Sequence, residues 1–145
     1  IDTAGVGAEW SDSVAVLADH LVTPVMLSTS DFDVGEQTAA WFEKLKTRVD
    51  DPAALPRHHV VLNMVESKTT KADAALIERA IRRFPVIETV MMRRNAYKDM
   101  DERGLLHAIA QERQNDPNPL MKPHVRPVLE ALEEAMDILN AIIAE

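Results

Sequence analysis

The sequence predicts an α/β domain: residues 1–145 forming a single three-layer unit around a mostly parallel sheet, incomplete at its N-terminus. Three observations predict it. Apolar runs of strand length alternate with stretches whose apolar residues recur at helical spacing. Those runs are continuous, as suits strands buried on both faces. And 145 residues can bury roughly two-thirds of the unfolded surface, enough for one core.

In chain order, Ser11 to His20 reads as a short helix with Val14, Leu17 and Ala18 on one face and Ser11 as a cap. Val22–Ser28 is a strand, with Pro24 expected near its start or at an edge because it lacks an amide donor. Ser30 or Asp31 can cap a helix over about Val34–Val49, whose Ala39, Phe42, Leu45 and Val49 recur at helical spacing. Asp50–Arg57 is a loop broken by two prolines, and His59–Val65 is the next buried strand. Asp73–Phe84 is a helix ended by Pro85, and Val86–Met92 a further strand. A helical segment enters at Asp99–Met100 and ends near Arg113. Asn115–Pro127, with four prolines, is a surface excursion. The last helix, Val128–Ala144, carries Leu129, Leu132, Met136, Leu139 and Ile143 as one stripe, expected to pack on its own sheet or a partner.

Composition removes several function classes. The chain is 46% hydrophobic and 28% charged, an ordinary globular balance. It has no cysteine, which excludes disulfide scaffolds, thiolate zinc sites and cysteine-ligated clusters. No apolar run approaches the ~18–20 residues of a membrane span. The net charge of −8 argues against wholesale attraction to nucleic acid.

The charge is unevenly spread, however. From Arg79 to Arg103 there are seven Lys or Arg against four acids, and Arg82, Arg83, Arg94 and Lys98 are candidates for tracking DNA phosphates without sequence preference. A solvated helix face with local ion pairs is the commoner use of such a run.

Ile1-Asp2-Thr3-Ala4-Gly5 reads as the end of a buried strand delivering Asp2 to a phosphate site, because α/β folds place ligands at the carboxyl ends of parallel strands. A turn or capping aspartate is the bland alternative. Asn63 closes Val60-Val61-Leu62-Asn63, where its amide can both donate to and accept from a purine edge, or else serve as a turn asparagine. The guanine-reading N-K-x-D pattern is not met, since the chain has Asn63-Met64-Val65-Glu66. The five histidines show no metal-ligand spacing, and none of the four glycines precedes a Lys-Ser/Thr pair.

Taken in order, these pieces resemble the C-terminal two-thirds of a ParA/MinD-type partition ATPase, in the deviant-Walker group of P-loop proteins. The matches are Ile1–Gly5, Ser11–Val25, Val60–Asn63, Met92–Met100 with Glu102–Leu105, and the closing acidic-apolar helix. The resemblance implies a P-loop-type sheet and an ATPase using ATP and Mg²⁺. Asp2 would then be the Walker B aspartate, meeting Mg²⁺ through water. Asn63 would contact adenine, and the Arg93–Arg94 segment would line the base or the DNA-facing edge. It also implies a homodimer on non-specific DNA, stimulated by a centromere-binding ParB-like protein, in the nucleoid-associated cytoplasm of a bacterium. Ala4 stands where the family often has proline. The Walker A loop is not in the sequence, so the chain by itself is expected not to turn over ATP. A non-catalytic interaction module is the alternative from another class. A MinD-like membrane-cycling ATPase is the third, and the last helix, with no Lys or Arg after Pro127, counts against it.

Overall fold

The computed structural model describes residues 9–144. Helix α1 (Glu9–Val16) leads into strand β1 (His20–Met26), α2 (Thr29–Lys46), a 3₁₀ turn (Pro52–Ala54), β2 (Arg57–Asn63) and α3 (Lys71–Arg83). Helices α4 (Asn95–Arg103), α5 (Leu106–Asn115) and α6 (Val125–Ile143) complete the chain, with a 3₁₀ turn (Pro119–His124) before the last.

The fold is mixed α/β, and β1 and β2 pair in parallel from His20↔Arg57 to Met26↔Asn63. The expected full three-layer sheet is corrected: among the described residues the sheet has two strands. The predicted strand Val86–Met92 contributes only two isolated parallel bridges, Val60↔Val86 and Val65↔Met92. The reason lies in the hydrogen bonds. The carbonyls of Val60 and Leu62, two residues apart, accept from Ile87 and Met91, four apart, at 3.0 and 2.8 Å. Two extra residues therefore bulge out, and a continuous ladder cannot form.

The core divides by strand face. On one side Val60 and Leu62 pack with Val25, Phe32, Ala80 of α3 and Phe84, which caps that helix. On the other, Val61 meets Ile87 and, from α6, Ile142. A third cluster joins α4, α5 and α6 through Ala96, Ile109 and Val128.

Helix boundaries shift for identifiable reasons. Ser28, not Ser30 or Asp31, caps α2, accepting from the Asp31 amide at 3.2 Å. Thr70 caps α3 in a reciprocal box with Asp73, so the helix starts before Asp73. Gly104, with φ of 86°, splits the expected Asp99–Arg113 helix into α4 and α5. Pro127 lies in the first turn of α6, where a missing amide costs little.

The expected packing of the α6 stripe on its own sheet is corrected, and of its five residues only Leu132 is half-buried, against the cluster of α4, α5 and α6. Leu129, Met136, Leu139 and Ile143 are 40–62% exposed, while Val125, Val128, Ala131, Glu134 and Ile142 are buried. The helix is apolar on two faces, and the inner face is the one that alternates small and large residues.

Candidate functional site

Because the strands are parallel, three chain segments leave the sheet at one edge: Met26–Ser28, Asn63–Glu66 and Met92–Arg94. Such an edge is where open α/β sheets bind ligands. The first segment leads straight into the capped start of α2, where the Ser28 hydroxyl also donates to Asp31 Oδ2 at 2.6 Å.

Asn63 sits at this edge, half-buried. Its Oδ1 accepts from the amide of Met64 at 2.8 Å, and Met64 takes the left-handed φ of 52°. That bond fixes the Asn63 side chain and the peptide that leads into the left-handed Met64. The carbonyl oxygen has a second lone pair and the amide two donors, so a purine edge could still be met from the same rotamer.

Beyond the turn, Val65 bonds to Met91 and Arg93 at 3.0 and 2.9 Å, which carries Arg93 alongside. Arg93 pairs with Glu66 at 2.9 Å, both side chains more than half exposed. A pair so exposed is worth less than about 1 kcal/mol, so a ligand could claim Arg93 at little cost. The structure thus brings Asn63 and Arg93 to one edge.

Arg94 turns the other way, into the body of the protein. Its Nε and Nη2 donate to Glu134 Oε2 at 3.2 and 3.1 Å, and Nη1 to Glu130 Oε2 at 3.2 Å. Burial alone would weaken its protonation, but the two carboxylates outweigh that and raise its pKa. Glu134 Oε1 accepts from the Met92 amide at 3.0 Å and the Tyr97 hydroxyl at 2.8 Å. Burial, then the Glu134 hydrogen bond and charge, push the Tyr97 hydroxyl well above its ordinary pKa. Glu134 therefore does for Met92 what a neighbouring strand would do, and fixes the exit of the third segment.

Sequence reasoning missed Glu134 and Tyr97. The available signal was a second apolar periodicity in α6, Val128, Ala131, Ala135, Ile138 and Ile142, with Glu134 inside it.

The remaining candidates lie on different elements. Asp2 lies outside the described residues. Arg82 and Arg83 end α3, whereas Lys98 is on α4 beyond Arg94. The third segment is bridged to Val60 at its start and to Val65 at its end. Arg94, paired with Glu130 and Glu134, is set apart from the other three basic residues. Arg82 pairs with Glu78 one turn away, while Arg83 and Lys98 are exposed. Among the described residues no three His, Asp or Glu converge as metal ligands, and no helix is long and apolar enough to cross a membrane.

Comparison with known proteins gives the family. The model of the VirC1 protein family matches residues 1–145. Protein virC1 of Rhizobium rhizogenes is 24% identical over 132 residues, 90% of this chain and 56% of that protein. Protein virC1 of Rhizobium radiobacter is 25% identical over 141 residues, 97% of this chain and 59% of that protein. The chain thus spans somewhat over half the length of these curated relatives. With the family model matched along its whole length, this α/β chain belongs to the VirC1 family.

Proposed function

We propose that this chain is part of a ParA-like partition ATPase, and that the carboxyl edge of its strands is the base-binding part of an ATP site. The observation that carries the reading is the meeting of Asn63 and Arg93 at the edge where parallel strands end. Asn63 would pair with adenine through its amide, and Arg93 would leave Glu66 to cover the base or a phosphate. Asp2 would hold Mg²⁺ through water. The ion, when bound, would offset charge on the phosphoryl oxygens during hydrolysis. The chain's own residues position: Ser28 orders the start of α2, Met64 turns the loop, and Glu134 holds Met92 and Arg94 so that Arg93 faces the edge.

In this reading the protein dimerises with ATP and binds DNA without sequence preference through Arg82, Arg83, Arg94 and Lys98. A ParB-like centromere-binding protein stimulates turnover. Since Arg94 is committed to Glu130 and Glu134, Arg82, Arg83 and Lys98 would carry most of the phosphate contact. Turnover by a full-length protein containing this sequence tests the ATPase reading: Asp2→Ala abolishes it, and unchanged turnover would refute the assignment. For DNA, reversing Arg82, Arg83 and Lys98 weakens binding to every sequence and flattens its salt dependence. Equal binding by the variant would return these residues to a solvated face.

One observation favours a second reading, a non-catalytic interaction module. Leu129, Met136, Leu139 and Ile143 form an exposed apolar row on α6, of the kind that marks contact surfaces. Partner binding by a protein unable to bind ATP would favour it.

A further inference from the structure

We infer that the opposite, amino-terminal edge of the strands is a second ligand site, an anion cleft that takes a phosphate group between Lys46, Arg57, His58 and Arg83. It lies at the far end of β2 from Asn63 and does not depend on the nucleotide reading. The two share no residue, although Arg83 also figures in the DNA proposal.

Four elements build the cleft. Helix α2 ends in Lys46, β2 begins with Arg57 and His58, α3 ends in Arg83, and the proline-bounded 3₁₀ turn at Pro52–Ala54 closes one wall. The space they enclose is about 820 Å³ and open to solvent, with Phe42, Leu55 and Pro85 as apolar wall. It has room for a phosphate and part of the group that bears it.

The charges decide the ligand class. Glu43 is the one carboxylate among the lining residues, and it is already paired with Lys46 at 2.6 Å. Arg57 and Arg83 are exposed and make no ion pair with a described residue. Against them stand the carboxyl ends of α2 and α3, each contributing roughly half a negative charge. Three full cations outweigh one carboxylate and two half-charges, so the rim stays positive on a chain whose net charge is −8. Guanidinium groups match a phosphate bidentately, where a chloride offers only a point charge.

His58 makes the cleft readable. Its Nε2 lies 3.0 Å from Thr23 Oγ1 and its ring 5.4 Å from that of Phe42. Burial, then His59 and Lys46, depress its pKa, while Glu43 opposes them. The charged or titratable groups around it are therefore Lys46 and Glu43 from α2, Arg57 and His59 from β2, His20 from β1 through its 3.2 Å contact with His59, and Arg83 from α3. A bound anion would be the strongest new negative charge among them, so it must favour protonated His58. By linkage, protonation must tighten anion binding equally.

The test follows the His58 ring signals by NMR through a pH titration of the protein, with inorganic phosphate or with chloride at matched ionic strength. Phosphate is expected to raise the apparent pKa of His58, and the Arg57→Ala, Arg83→Ala double variant to weaken phosphate binding at least tenfold. Both arginines are exposed, so that variant should keep its fold, which its amide spectrum checks. A short DNA duplex forms the second arm. If it moves the same His58 signals and the double variant abolishes this, the phosphate belongs to a nucleic-acid backbone. If phosphate acts and DNA does not, the ligand is a small phosphate compound. No shift with either probe, or the same shift with chloride, overturns the site.

Discussion

Glu134 shows how much one side chain can decide. It is 9% exposed and accepts from Arg94, Tyr97 and the Met92 amide, which joins the third segment to α6. Removing it leaves the Met92 amide without its acceptor and the partly buried Arg94 guanidinium with Glu130 alone. Glu134→Ala should therefore cost about 2–3 kcal/mol in urea unfolding, more than an exposed ion pair could account for. Tyr97→Phe keeps the ring and loses only the hydroxyl, so about 1 kcal/mol is expected. Equal stability of both variants with the parent would show that the network is ornamental. None of this was legible beforehand. Arg94 and Glu134 are 40 residues apart, and an arginine in a basic run looks the same whether it faces solvent or a buried carboxylate. Asn63 was legible as a strand-end amide, but its bond to the Met64 amide was not, because that depends on a turn only the fold defines.

At the scale of elements, the strands β1 and β2 and helices α2 and α3 could be read from their apolar periodicity, within a few residues. The third strand could not. Val86–Met92 has the composition of a strand, but the bulge between Ile87 and Met91 is a matter of register, which composition does not encode. In α6 two apolar stripes compete, and the fold buries the one containing Ala131 and Glu134 because α4 and α5 approach closely there. Close approach also governs α2. A Cβ added to Gly35 would lie 3.2 Å from Val25 Cγ2 and 3.3 Å from Phe84 Cζ. Alanine would gain up to about 1 kcal/mol of helix propensity, but overpacking a core this dense costs about 1–3 kcal/mol. Gly35→Ala should therefore lower the urea midpoint. A higher midpoint would mean that Phe84 has room to give. Ser28→Ala, which removes the α2 cap at the candidate edge, should cost about 1 kcal/mol.

For the molecule as a whole, the two edges of one small sheet carry different chemistry. The amino edge holds His20, His58 and His59, and its pH response has a defined sign. His58 has a pKa below its ordinary 6.5 in the fold. As pH falls below 6.5 the unfolded chain takes up that proton first, so stability from this group is complete above 6.5 and declines beneath it. Urea midpoints measured from pH 8 to pH 5 should show this decline, reduced in His58→Gln; an unchanged slope in the variant would assign it to other groups. The carboxyl edge holds Asn63 and Arg93, and the claim that it receives adenine is the one on which the functional reading turns. It is tested most directly by the affinity of a full-length protein containing this sequence for ATP with Mg²⁺, measured calorimetrically for the parent and for Asn63→Ala. Loss of a paired base contact worth about 1–3 kcal/mol predicts a Kd for ATP raised by about fivefold to 150-fold. The same ATP affinity in parent and variant would contradict it.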